Sequence, residues 1–270
     1  MSDKINNLGY RTDFFFHQLN GSVEDRGEYL VAKTHNNPHY FWGNLLLFKM
    51  APGVDDFSKW IDHFNEEFKE VNLYHQTFAW DSINGDKGEV EAFLEAGFKL
   101  EESIILTSSN AIKPSKINSK IEIKALRSES DFEKCIDIQV RGADRYLSKQ
   151  SWRDFYTKSM NDYKELIRRG HGEWYGAFLD GSLCGSLGLF NDGEVGRFQI
   201  VSTDIDFRRQ GICSTLVYEV SKEALESKKL KQLVMVADPD YHAARIYESV
   251  GFISNQKQVG LCWWDKEKHQ

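Results

Sequence analysis

One short turn constrains this chain more than any other stretch. The run Arg208-Arg209-Gln210-Gly211-Ile212-Cys213 follows an apolar, β-branched stretch that ends at Val201, and apolar residues at helical spacing come after it. A helix N-terminus leaves backbone N–H groups without partners, and the helix dipole favours negative charge there. Gly211 lets the backbone approach a ligand closely because it has no Cβ, and two arginines add positive charge. The run therefore predicts a pyrophosphate site.

The run alone leaves an ordinary alternative open, because basic residues and a glycine also begin many solvated helices. It lacks the Gly-Lys-Ser/Thr ending of a P-loop and the Gly-x-Gly of a dinucleotide fingerprint. The residues after the run favour a binding site over an ordinary solvated helix. A buried-strand pattern spans 233–237, a turn begins at Asp238, and a second helix pattern contains Tyr247 and ends at Gly251 before Phe252.

With both motifs in place, the chain from residue 121 onward resembles the GNAT superfamily of acyl-CoA-dependent N-acetyltransferases. Residues 208–213 match its Arg/Gln-x-x-Gly-x-Gly/Ala signature, with Cys213 at the last position. Residues 243–252 match its second signature, a helix with a tyrosine four residues before Gly-Phe. The resemblance implies an α/β (α+β) fold with a mixed sheet, acetyl-CoA as cosubstrate, no metal, and direct attack of an amine on the thioester.

The resemblance also assigns roles to residues. Tyr247 is expected to protonate the leaving thiolate, since a phenol ordinarily titrates near pH 10; the alternative is a core tyrosine. A backbone N–H near Ile200 or Val201 is expected to polarise the thioester carbonyl, on a strand that splays from its neighbour. The expected cofactor contacts are Ile200, Val201, Thr203, Arg208, Arg209, Gln210, Gly211, Ile212, Cys213 and Ser214.

The general base and the acceptor site are less defined. No acid lies on the inner part of the strand before the turn, so Glu194 at its start and Glu173 on an earlier strand are candidates, or no base is needed. In relatives the segment between the first two helices helps to form the acceptor site. Its candidates here are Arg141, Asp144, Arg145 and Tyr146, and surface charges on a loop are an equal alternative.

Residues 107–120 are polar, contain one proline and have no periodicity, which is typical of a linker. Before them the pattern strand, turn, helix, strand, helix, Gly-Phe occurs once already, from 45 to 98. We predict two GNAT-like acyl-CoA N-acyltransferase domains in tandem: a degenerate one at 1–110, a linker at 111–120 and a catalytic one at 121–270. The first turn reads Ala51-Pro52-Gly53, and Phe93 replaces the tyrosine, so cofactor binding is expected to be lost there. An unrelated α/β domain is the alternative.

Composition limits the remaining classes of function. The chain has 270 residues, a formal charge of −7 and a pI of about 5.7, which argues against a general nucleic-acid binder. Its four cysteines are widely spaced, the N-terminus is polar, and no apolar stretch could span a bilayer. We expect a cytoplasmic protein with no membrane or nucleic-acid partner, as monomer or homodimer.

The expected function is N-acetylation of a small-molecule or peptide amine. The alternatives are a non-catalytic acyl-CoA-binding regulator and transfer of a larger acyl group.

Overall fold

The computed structural model describes residues 4–38, 40–143, 148–239, 243–265 and 267. The chain divides into two compact units. The first unit comprises residues 1–105 and 256–270, and the second comprises residues 106–255. Residues 256–270, which the sequence analysis places in the second domain, thus belong to the first unit.

The elements up to residue 108 are α1 (Leu8–Asn20), β1 (Ser22–Asp25), β2 (Tyr29–Lys33), β3 (Leu45–Phe48), α2 (Asp56–Phe68), β4 (His75–Trp80), α3 (Glu91–Glu95) and β5 (Lys99–Ser108). Those after it are β6 (Glu122–Ala125), α4 (Glu129–Gly142), α5 (Lys149–Arg168), β7 (Gly172–Leu179), β8 (Ser182–Asn191), β9 (Val195–Thr203), α6 (Ile212–Lys222), β10 (Gln232–Ala237), α7 (Ala243–Glu248) and β11 (Ile253–Trp264). A π-helical turn (Glu223–Ser227) prolongs α6.

In the first unit the strand order is β1-β2-β3-β4-β11-β5. β4 pairs in parallel with β3 and antiparallel with β11, where Gly260 faces Ala79. Apolar residues of α2 recur on the face that meets this sheet, and Trp60 stacks on Phe48 with ring centroids 3.7 Å apart. The core is largely aromatic, and Leu261 from the end of the chain is fully buried in it.

In the second unit the strand order is β10-β9-β8-β7-β6. β7 and β8 form a hairpin, and its two turn residues, Asp180 and Gly181, both have positive φ, as a tight hairpin turn requires. Ser128 and Ser148 cap α4 and α5 by accepting a hydrogen bond from the backbone N–H three residues on. The helices α4 and α6 both pack on β8 and β9.

The predicted internal repeat is confirmed by the element order. β3, α2, β4 and α3 repeat β9, α6, β10 and α7, and both pairs of strands are parallel. Each repeat ends on a Gly-Phe pair, and the glycines Gly97 and Gly251 have φ of +91° and +102°. Both units therefore use the same strand–helix–strand–helix motif.

Candidate functional site

The run at 208–213 lies where predicted, between β9 and α6. Gly211 is the N-cap of α6 with φ +77°, a left-handed conformation that glycine adopts without strain. A Cβ at this position would lie 3.1 Å from the backbone oxygen of Lys116. No side chain within the described residues caps α6, and its first turn contains no acid. The N–H groups of Ile212, Cys213 and Ser214 are therefore left for an anion, with Arg208 and Arg209 exposed beside them.

β9 contains a bulge at the position predicted for the carbonyl-polarising group. Ser202 faces Ser186 of β8 and Gln199 faces Gly188, so β9 has one more residue than β8 between these pairs. Within the bulge Ile200 has φ +43°, which is rare and strained for a β-branched residue. A bulge bends the strand and redirects its backbone groups, and bulges occur often beside active sites.

The gap expected beside β9 is present. The parallel pairing of β9 with β10 covers only Val195–Arg197 against Gln232–Val234. Within the described residues the pairing stops there, although β9 runs on to Thr203 and β10 to Ala237. The carboxyl-terminal halves of two adjacent parallel strands thus diverge at the N-terminus of α6, and the predicted residues Ile200, Val201 and Thr203 lie on the edge of the gap.

Cys213 lies in the first turn of α6, and burial raises the pKa of its thiol to about 12. A thiol with so high a pKa is protonated at neutral pH and is a poor nucleophile. Cys213 therefore fits the turn as a small packing residue rather than as an acyl carrier.

Tyr247 lies on α7, which packs against α6, and only 6% of its surface is exposed. Its ring meets Phe252 edge-to-face at 6.5 Å between centroids. The backbone carbonyl of Tyr247 accepts hydrogen bonds from the N–H groups of Val250 and Phe252, which closes the end of the helix. The structure thus places the second signature next to the helix that begins at residues 208–213, the predicted cofactor turn, called the cofactor turn below.

Arg141, a candidate for the acceptor site, is already engaged. Its guanidinium donates to the carboxylates of Asp204 at 2.8 Å and Asp206 at 2.6 Å, in the turn before residue 208. These carboxylates raise the pKa of the Arg141 guanidinium further. Arg141 therefore joins the end of α4 to the cofactor turn. The other three candidates, Asp144, Arg145 and Tyr146, lie outside the described residues.

Both candidate bases form ion pairs at the other end of the strands. Glu194 pairs with Lys231 where β9 and β10 are still bonded, and Glu173 accepts two hydrogen bonds from Arg127, at 2.6 and 3.0 Å. Neither carboxylate lies in the part of β9 that borders the gap. The geometry therefore does not favour either as the general base.

Residues 116–118, which the sequence predicts as part of a linker, contact the cofactor turn. The Lys116 ammonium donates to the Arg209 carbonyl, and Ser214 donates from its hydroxyl to the Lys116 carbonyl at 2.9 Å. Asn118 donates from its side-chain amide to the Gln210 carbonyl at 3.0 Å. No periodic pattern signals such contacts. Residues 116–118 are therefore part of the site rather than a free connection.

The matching turn of the first unit differs in its strand pairing and in its charge. β3 stays paired with β4 to its last residue, Phe48, which faces Trp80, so no gap opens at this point. The N–H of Gly53 donates to the Asp56 carboxylate at 2.8 Å, and the carbonyl of Pro52 accepts a hydrogen bond from the N–H of Glu89. The donor that would meet a phosphate is already bound to an anion.

The described residues contain neither a metal-binding cluster nor a membrane-spanning helix. No group of three or more His, Cys, Asp or Glu side chains is placed to hold a metal ion. No helix among the described residues is long and apolar enough to cross a membrane.

Comparison with known proteins agrees with this geometry. Residues 143–252 match the model of the "Acetyltransferase (GNAT) family". No curated protein sequence matches the chain significantly.

Solved structures share the fold over nearly the whole chain. A protein of unknown function from Staphylococcus epidermidis aligns with a TM-score of 0.73 and 16% identity, over 92% of this chain and 95% of that one. An N-acetyltransferase from Kribbella flavida aligns with a TM-score of 0.64 and 13% identity, over 95% and 96%. A tandem GNAT protein from the clavulanic acid biosynthesis pathway aligns with a TM-score of 0.55 and 10% identity, over 94% and 87%.

Proposed function

Residues 143–252 form a domain of the GNAT acetyltransferase family in a chain with the tandem GNAT fold, and from this premise we propose that the chain is an N-acetyltransferase. It transfers the acetyl group of acetyl-CoA to a primary amine of a small molecule or a peptide. The second unit holds the cofactor and performs the reaction, and the protein works in the cytoplasm.

The observation that carries the proposal is the early end of the β9–β10 pairing beside the uncapped N-terminus of α6. The opening gives a thioester a place beside the bulged strand. The N–H groups of α6 and the side chains of Arg208 and Arg209 give a pyrophosphate its donors and counter-charge. Acyl-CoA combines a diphosphate with a thioester at the end of an extended arm, so these residues fit both of its ends.

In the proposed reaction the amine nitrogen bonds to the thioester carbon and the carbon–sulfur bond breaks. A backbone N–H in the bulge at Ile200 or Val201 donates to the carbonyl oxygen as negative charge develops there. Tyr247 donates its phenolic proton to the leaving thiolate, and the amine nitrogen loses its proton to solvent. The acetyl group passes directly to the amine, and burial, which raises the pKa of the Cys213 thiol to about 12, disfavours that thiol as an acyl carrier.

One observation supports a second candidate, a non-catalytic acyl-CoA-binding regulator. Glu173 and Glu194 are both ion-paired and remote from the gap, so no base has been assigned. A regulator needs the cofactor turn and no proton transfer. The burial of Tyr247 beside α6 favours the enzyme, since a regulator has no use for an acid at this place.

We further propose that the first unit binds no acyl-CoA. Its strands β3 and β4 remain paired, and the Asp56 carboxylate occupies the N–H of Gly53. An acid at this position repels a phosphate and also blocks the donor. The first unit then carries out no second reaction.

Incubation with acetyl-CoA and a panel of amines, followed by detection of free thiol, tests the proposal. Thiol release that depends on one class of amine, with the mass of the product raised by one acetyl group, is the expected result. The double variant Arg208→Ala/Arg209→Ala should lose most of this activity, while Lys4→Ala, an exposed charge change in the first unit, should keep it. CoA binding without amine-dependent release from any acceptor would favour the regulator.

A further inference from the structure

The cofactor turn is held from outside by a segment that precedes the first strand of its own unit. Residues 116–118 contact the turn through four hydrogen bonds. The Lys116 ammonium donates to the Arg209 carbonyl, and the Lys116 carbonyl accepts from the Ser214 hydroxyl. The backbone N–H of Asn118 donates to the Thr215 hydroxyl, and its side-chain amide donates to the Gln210 carbonyl. Upstream, the N–H of Ile112 donates to the carbonyl of Val250 at 2.8 Å, so the segment is also attached near α7.

The contact with Arg209 has the most direct consequence for ligand binding. Arg209 has φ +63°, a left-handed conformation that costs a non-glycine residue free energy unless its surroundings impose it. The Lys116 ammonium bonds the carbonyl of this residue, and the Asn118 side chain bonds the carbonyl of the next one, Gln210. When carbonyls of a turn are held on one side, its N–H groups are free to face the other, as an anion site requires.

The positive charge of Lys116 also favours binding of an anion at the turn. Lys116 is exposed and contributes a third cation beside Arg208 and Arg209, in a chain whose formal charge is −7. The acids nearest in sequence to the turn, Asp204 and Asp206, are bound to Arg141, and the first turn of α6 has no acid. The positive charge around the turn is therefore not neutralised by these neighbours.

We propose that Lys116 is a positioning residue of the acyl-CoA site, acting on the diphosphate through the Arg209 carbonyl; this rests on the proposed function. The ammonium keeps residues 209–211 in the conformation that turns their N–H groups toward the diphosphate. Its charge lies next to the site of the diphosphate. Residues 116–118 thus belong to the cofactor site, although they lie between the two repeats in the sequence.

Binding of CoA and of 3′-dephospho-CoA, measured by titration calorimetry on the full chain, tests the proposal. Lys116→Met should raise the Kd for both ligands roughly tenfold, the loss expected for one charge-assisted hydrogen bond. Lys113→Met removes the same charge from an exposed position in the same segment and should change each Kd by less than about twofold. Lys116→Arg, which keeps the charge and the donors, should restore most of the affinity.

Three results would overturn the inference. Equal Kd values for the wild type and Lys116→Met would remove Lys116 from the site. Equal losses in Lys116→Met and Lys113→Met would reduce its role to general charge. A loss confined to CoA would assign it to the 3′-phosphate instead of the diphosphate. A wild-type chain that binds neither ligand would overturn the proposed function itself. Should Lys116→Met unfold, Asn118→Ala keeps the test open, with an expected loss of about threefold on both ligands.

Discussion

The N–H of Gly53 and the carboxylate of Asp56 are joined by a hydrogen bond of 2.8 Å, at the turn that matches the cofactor turn of the second unit. In one repeat an acid in the first turn of the helix binds an N–H of the preceding turn, whereas in the other the first turn of the helix contains no acid and two arginines precede it. The two repeats therefore share a fold and differ in what their first helix can bind.

This difference predicts one CoA site per chain. Gly211→Ala should weaken CoA binding at least tenfold and lower the free energy of unfolding by about 1 kcal/mol, because alanine at φ +77° is strained and its Cβ would crowd Lys116. Gly53→Ala is the matched control, since the nearest atom to its new Cβ is an Asp56 oxygen 3.5 Å away. Calorimetric titration measures the number of CoA molecules bound per chain. Two molecules per chain, or loss of a site in Gly53→Ala, would contradict the prediction of a single site.

Replacement of Tyr247 by phenylalanine should lower kcat by roughly 10²-fold, because general-acid help of this kind is typically worth 10²–10⁴-fold. The Kd for CoA should stay within about twofold of the wild type, since the ring and its packing on Phe252 are retained. Single-turnover kinetics isolate the chemical step from product release. An unchanged single-turnover rate would show that the phenol is not the acid.

Removal of the Cys213 thiol should leave the enzyme active. Burial raises the pKa of this thiol to about 12, so Cys213→Ala is expected to change kcat by less than about threefold. Intact-mass measurement after addition of acetyl-CoA alone should find no acetylated chain. An acetyl group on the Cys213 thiol would indicate transfer in two steps.

The stability of the first unit should depend on pH through Glu67. Its carboxylate accepts hydrogen bonds from Arg26 and Lys33, and these bonds lower its pKa from 4.5 to about 2. The stabilisation is therefore complete above pH 4.5 and is lost as the pH falls toward 2. Glu67→Gln should cost roughly 1–2 kcal/mol at pH 7, and this difference should shrink below pH 4.5. Glu66→Gln, a change at an exposed neighbour that pairs with Lys69, should show no comparable trend.

Gln139 offers a test of packing beside the site. It is 4% exposed on α4, and neither atom of its side-chain amide has a hydrogen-bond partner within the described residues. A buried amide without partners costs free energy that an apolar side chain of similar size does not. Gln139→Leu should therefore leave the thermal midpoint unchanged or raise it by a few degrees. A fall of several degrees would mean that the amide makes a stabilising contact.

The sequence predicts those features that depend on local chemistry. A glycine at a helix start, two arginines and apolar periodicity identify the cofactor turn, and the repeated order of elements identifies the second copy. The bulge at Ile200 depends on pairing with β8, and the contacts of Lys116 depend on a carbonyl distant in sequence. Neither feature produces a periodic pattern in the sequence. The pairing of residues 260–264 with β4 likewise cannot be predicted from the sequence of these residues alone.

The pairing of β4 with β11 limits when the first unit can fold during synthesis. Residues 106–255 are all translated before the strand that fills the first unit, whose residue Leu261 is fully buried in the aromatic core. Until residues 256–264 have been made, the first unit therefore keeps an open edge at β4 and lacks part of its core, although residues 1–105 have already been translated. The unit whose strands are made first can therefore complete its sheet only with β11.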